Sequence, residues 1–168
     1  MTKTKEKLLQ VLQQHFDPTI QRICNRLQKI SPSHYEIIDF ERHQEREEEF
    51  LKLICSAVER QDDEMLKKYM VNLANIRHNE GYTLAEVQQA LDAIETELWH
   101  TVRTSGQSGE EIIDMLFELR TLMNLLRNQF AFSYAEKQVD VQKRMARLKE
   151  RFFIYRHDRQ DLESKNSH

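Results

Sequence analysis

Only three glycines (Gly81, Gly106, Gly109) and two prolines (Pro18, Pro32) interrupt the 168 residues, and none follows Gly109. A strand-rich fold needs such residues at its many tight turns, so their scarcity argues against one and leaves long helices with few connections. A chain of this length makes one domain around a single core. The expected class is all-α, a single helical bundle whose rare breakers mark its joints.

Asp17 before Pro18 fits an N-cap with proline at the first helical position. A short first helix is therefore expected to end near Phe16, and a second to run from Pro18 to about Ile30, where Ser31-Pro32-Ser33 stops it. A third is predicted over Tyr35–Arg60, with Ile38, Phe50, Leu53, Ile54, Ala57 and Val58 as apolar positions. Its stretch Glu41 to Glu49 is polar all round, so that half is expected to project into solvent. Asp62 is read as the cap of a fourth helix whose buried face is Leu66, Tyr69, Met70, Leu73 and Ile76. Gly81 ends it in the left-handed conformation that glycine tolerates best.

Thr83-Leu-Ala-Glu86 has the form of a capping box, in which each side chain satisfies the other residue's backbone N–H. It opens a helix carrying Leu84, Val87, Leu91, Ile94, Leu98 and Val102 at steps of three or four. That helix breaks at Ser105–Gly109, and Ser108-Gly-Glu-Glu111 repeats the capping signature.

The last helix has no breaker and is predicted to exceed about forty residues, far beyond ordinary globular helices. Ile112, Leu116, Leu119, Met123, Leu126 and Phe130 alternate by four and three; Tyr134 and Gln138 follow at fours; Val141, Met145, Leu148, Phe152 and Tyr155 resume the alternation. Two heptad phases separated by a stutter predict that the first half packs in the bundle and the second against something else, naturally the same helix of a second subunit. The division expected is a sensor-like bundle over 1–135 and a coiled-coil-like extension with a polar tail over 136–168. A homodimer is expected, with Val141, Met145, Leu148, Phe152 and Tyr155 as its dimer or partner interface.

No run approaches the roughly 20 apolar residues of a membrane span, and Met1 to Leu9 lacks the apolar block of a signal sequence, so a cytoplasmic protein without membrane contact is expected. Cys24 and Cys55 sit in apolar helical settings and read as small hydrophobes in a reducing compartment. Net charge is -3, but from Lys137 onward nine Lys/Arg stand against five Asp/Glu. That excess reads first as a solvated helix face, with a preference for an acidic partner as the alternative. The tail lacks the broad one-signed field of nucleic-acid binders, and no nucleic-acid role is expected.

Seven histidines invite a search for metal or haem ligands. A di-iron site of the ferritin kind needs two Glu-x-x-His pairs on facing helices, and only Glu97-Leu-Trp-His100 exists. Asp39, His43 and Glu47 stand one turn apart but lie in the polar run and read as a solvated face. No Gly-rich phosphate loop, Gly-x-Ser-x-Gly elbow or Cys-x-x-Cys occurs, so neither an enzyme nor a bound metal is expected.

The stretch Tyr69 to Leu98, YMVNLANIRHNEGYTLAEVQQALDAIETEL, resembles the amino-terminal domain of RsbRD-type proteins, co-antagonists in bacterial stress signalling. The likeness rests on a helix ending in Arg77 with Gly81 four residues later, then a capped entry (Thr83, Glu86) into a helix with Val87, Ala90, Leu91 and Ile94. Upstream, Phe50 to Asp63 resembles the family's preceding helix and its corner, here Arg60-Gln-Asp-Asp63. The resemblance implies a globin-like, non-haem sensor domain that dimerises and passes a signal down its carboxy-terminal helix. Haem-binding globin sensors carry a histidine four residues before the equivalent glycine. Here that position is Arg77, and His78 is turned from it by about 100 degrees.

Together these readings predict a non-catalytic bacterial signalling or regulatory module without cofactor, acting through protein–protein interaction and helix-mediated dimerisation, with a protein partner in a signalling pathway. Arg77, His78 and Tyr82 form a candidate signal-receiving corner. The alternative is a globin-like sensor that binds haem or another small ligand through His78 or His100.

Overall fold

The computed structural model describes the backbone at residues 2–30 and 33–165, and side-chain surroundings as far as residue 150. Six helices follow in order: α1 (Lys3–Gln14), α2 (Phe16–Leu27), α3 (Phe40–Arg60), α4 (Glu64–Asn79), α5 (Leu84–Arg103) and α6 (Gly109–Lys165). No strand occurs among the described residues.

Each helix buries one apolar stripe against its neighbours. The first half of α6 lies along α4 and α5, α2 packs on α3 and α5, and α1 bridges α3, α5 and α6. Leu8 and Leu12, Ile20 and Leu27, Ile54, Leu66 and Met70, Leu98, and Met115, Leu119, Met123, Leu126 and Phe130 meet in one core, all essentially inaccessible to water. Truncating any of these to alanine removes apolar burial and leaves a cavity, at about 2–5 kcal/mol. No helix among the described residues is long and apolar enough to cross a membrane.

The structure departs from the sequence reading at several joints. The break between α1 and α2 falls at His15 (φ -110°, ψ 24°), so Asp17 and Pro18 lie inside the first turn of α2. Proline is tolerated there because first-turn N–H groups have no helical acceptor. Helix α3 begins at Phe40, where Asp39 caps it by accepting from Arg42 N at 2.8 Å, and residues 33–38 form turns. Gln61, at φ +56°, closes α3 in the left-handed conformation. Asp62 accepts from Glu64 N at 3.0 Å, although Asp63 holds the N-cap position of α4.

The buried stripe of α4 runs through Leu66, Met70, Ala74 and Arg77, while Ile76 is exposed. The polar run of α3 does not project into solvent as a whole, because His43 and Glu47 are buried. Both capping boxes form, that of Thr83 and Glu86 fully, that of Ser108 and Glu111 with longer bonds of 3.3 and 3.4 Å.

Beyond Tyr134 the neighbours of α6 end. All residues from Gln138 to Glu150 are exposed, and Val139, Val141, Met145 and Leu148 are between 38% and 52% accessible. At about 100 degrees per residue, Leu148, five turns on from Phe130, shares its direction, and Val141 differs by about 20 degrees. The core-facing stripe of α6 thus continues past the bundle with no described residue covering it.

Candidate functional site

Where α3, α4 and α5 meet, the core turns polar. Tyr35 from the turns before α3, His43 and Glu47 from α3, Arg77 from α4 and Tyr82 from the α4–α5 corner are all buried. Of these, Tyr35, Glu47 and Arg77 line a cavity of about 20 Å³ with Arg46, Phe50, Tyr69 and apolar side chains of α4 and α5. That is the room of about one water molecule.

The cluster is only partly satisfied. His43 holds the Tyr35 carbonyl at 2.8 Å through Nε2, and its Nδ1 has no partner among the described residues. Arg77 donates from Nη1 to Glu80 at 2.6 Å and lays its guanidinium against the Tyr82 ring, 4.8 Å from the centroid, with the Tyr35 ring at 5.9 Å. The Nε of Arg77 and Nη1 of Arg46 find no acceptor among the described residues. Unpaired buried donors of this kind cost about 1–3 kcal/mol each, a cost that the surrounding packing and the bonds the cluster does make must offset.

Burial sets the protonation of the acid at its centre. It pushes the Glu47 carboxyl up to about 7 even though Arg77 and Arg46 pull the other way. Burial likewise lowers His43, with only the Tyr35 carbonyl and Asp39 favouring its charged form. Tyr69 is raised to about 12 by burial and by the nearby Glu47 and Glu49.

This cluster touches α6 through one corner. Tyr82 N donates to Arg77 O at 3.0 Å and Gly81 N to His78 O at 3.2 Å, a Schellman closure that requires the left-handed backbone of Gly81 (φ +84°). His34 stacks on Tyr82 at 4.5 Å and is tied to Glu86, whose Oε1 lies 2.8 Å from the ring Nδ1. Burial raises the Glu86 carboxyl, but bonds from Thr83 and His34 override it and bring the group down to about 2. Tyr134 of α6 then donates its hydroxyl to the Tyr82 carbonyl at 2.7 Å and sets its ring 5.2 Å from His78.

Of the residues singled out in the sequence, Arg77 and Tyr82 join at this cluster. His78 lies on the other side of α4, against Tyr134. His100 is exposed near the far end of α5, and Glu97 is committed to Arg22 and Arg26 at 3.2 and 2.5 Å, so the Glu97/His100 pair builds no metal site. No group of three His, Cys, Asp or Glu able to hold a metal occurs among the described residues. Val141, Met145 and Leu148 stand exposed on α6, while Phe152 and Tyr155 lie outside the residues whose side chains are described.

Sequence reasoning missed His43, Arg46 and Glu47, dismissed with the charged run around them. The signal was there: His43, Glu47, Phe50 and Ile54 step by four, three and four, the period of a buried face. Cys24 and Cys55 are buried free thiols raised by burial to about 12 and 11, far from the range of a reactive thiolate.

A larger, open groove of about 740 Å³ between α2, α5 and α6 contains Arg22, Arg26, Glu97, His100 and Arg127. Glu97 takes both arginines of α2 and Arg127 pairs with Asp92 and Glu95, while Arg103 and Arg120 of the same lining make no ion pair among the described residues.

No protein-family profile and no curated protein matches the chain. Among solved structures it is similar to the globin domain of E. coli DosC in its ferric form, with a TM-score of 0.65 and 12% identity over 78% of this chain and 89% of that one. The ferrous form of the same domain gives a TM-score of 0.64 and 12% identity over 77% and 89%. The fold is globin-like.

Globin-like folds raise the question of haem, and the residues here do not fit it. A guanidinium, with no lone pair to give, stands at Arg77, four residues before Gly81, and it is buried against two tyrosine rings. His78 is engaged with Tyr134 on the opposite side. Tyr35, Glu47, Phe50 and Tyr69 fill the space between α3 and α4 down to about 20 Å³, against roughly 300 Å³ or more for a cofactor-sized cavity.

Proposed function

We propose that this globin-like chain is a non-catalytic regulatory module, in which the buried Tyr35, His43, Glu47 and Arg77 cluster receives a change and α6 carries it to a protein partner. The observation that carries the reading is the hydrogen bond from Tyr134 to the Tyr82 carbonyl, 2.7 Å long, because it joins the cluster's corner to α6 where the helix leaves the bundle. A half-satisfied polar cluster and a projecting helix with an uncovered apolar stripe are the two ends such a relay needs. The resemblance of Tyr69–Leu98 to RsbRD-type amino-terminal domains supports a place in bacterial stress signalling and assembly as a dimer, with residues 1–135 as receiver and 136–168 as output.

Hydrogen exchange along α6 tests this. Protection of residues 135–150 is expected to change between pH 6 and pH 8 in the wild-type chain and to lose that response in Glu47→Gln. Exchange in this segment that ignores both pH and the substitution would refute the relay. The haem-binding alternative has its own readout: incubation with hemin is expected to give no Soret band that depends on His78 or His100.

A further inference from the structure

The projecting half of α6 carries more than an apolar stripe. Between residues 137 and 150 it holds five basic side chains, Lys137, Lys143, Arg144, Arg147 and Lys149, against two acidic ones, Asp140 and Glu150. All but the partly covered Lys137 are exposed, and none makes an ion pair among the described residues. Taking Val141, Met145 and Leu148 as the seam, Lys137 and Arg144 flank it on one side and Gln142 and Lys149 on the other.

Flanking positions decide who can sit on such a seam. If two copies pair in parallel and in register, each residue just before a seam position meets the residue five places later on the other helix. Arg144 of each copy then faces Lys149 of the other, on both sides of the seam, and Lys137 faces only Gln142. No described flank offers a carboxylate to offset this repulsion. Self-pairing in this register exposes like charges to one another, whereas a helix with acidic flanks satisfies every one of them.

We infer that residues 137–150 of α6 dock an amphipathic helical segment of a different protein, with an apolar seam and Glu or Asp flanks. The inference rests on the regulatory reading for the need of a partner, and it names that partner's chemistry. Apolar contact supplies the attraction, and charge selects the occupant and its orientation.

The test uses the full-length chain and two fluorescently labelled synthetic helices, with the same Leu/Ile seam and either Glu or Lys at every flanking position. Fluorescence anisotropy is expected to show binding of the Glu-flanked helix at least about tenfold tighter than the Lys-flanked one, weakened several-fold between about 0.05 and 0.5 M salt. The exposed double substitution R144E/K149E is expected to reverse the preference while the helical circular-dichroism signal stays unchanged. Equal binding of both helices, or of neither, overturns the inference. So does light scattering that gives a dimer lost in Met145→Ser, or binding to phosphatidylserine vesicles in place of the Glu-flanked helix. The relay reading fails separately: hydrogen exchange of 135–150 that ignores Glu47→Gln defeats it whatever helix binds.

Discussion

The two halves of α6 use the same apolar period for opposite ends. From Met115 to Phe130 the stripe is sealed by α1, α4 and α5. From Val141 to Leu148 the stripe keeps nearly the same direction and meets nothing in the bundle. One continuous helix therefore supplies both a core element and an unsatisfied surface, and the period alone does not say which is which. The sharpest way to break the contrast is a matched pair of truncations. Phe130→Ala is expected to lower unfolding stability by about 3–5 kcal/mol. Met145→Ala, on the projecting half, is expected to stay within about 0.5 kcal/mol. Urea titrations of the two variants decide the matter, and a large loss from Met145→Ala would mean that the projecting half is covered in solution.

The next contrast is between the apolar core and the polar pocket beside it. Glu47 is raised to about 7 in the folded chain from an ordinary value near 4.5. An acid raised by folding is bound to its proton more tightly in the native state, so stability is full below about 4.5 and falls as pH rises toward 7. The loss is about 3 kcal/mol at one pH unit per 1.4 kcal/mol. Buried His43, lowered on folding, works in the opposite sense and is stabilising only above its ordinary range near 6.5. The wild-type curve mixes both, so the comparison to make is the difference between wild type and Glu47→Gln. That difference is expected to move in favour of the glutamine variant as pH climbs from about 4.5 to 7, then level off. A flat difference would show that Glu47 is solvated.

Much of this architecture was legible because helices announce themselves locally. The Thr83/Glu86 box, Gly81 and the stripe from Val87 to Val102 each depend on residues within one or two turns of one another, and each forms as read. The joint at His15 was not legible, since nothing about that residue distinguishes it from its helical neighbours; the helix breaks there because the chain must turn to pack α2 on α3 and α5. The polar pocket was hidden for another reason. Charge in sequence reads as solvent, and the four-three-four spacing of His43, Glu47, Phe50 and Ile54 was its one local trace; tertiary packing is what sets the α3 pair near Arg77 of α4, on a stripe that ends at Arg77 and leaves Ile76 outside. Arg77 and Tyr82 could be singled out because they border the glycine that closes α4, while their neighbours on α3 carried no such mark.

The smallest effect tests the point where the two halves of α6 meet. Tyr134 is the last side chain before the projecting half that donates to the bundle, and its hydroxyl bond to the Tyr82 carbonyl is a neutral bond at a partly covered site. Its net contribution is on the order of 1 kcal/mol. Tyr134→Phe keeps the ring against His78 and Phe130 and removes only that bond. A global stability loss of about 1 kcal/mol, with exchange in residues 135–150 no longer following the state of Glu47, would locate the link at this one hydroxyl. If stability falls by that amount while the exchange response survives, the hydroxyl is only an anchor. The coupling must then run through the packed rings of His78, Tyr134 and Phe130, which the substitution leaves in place.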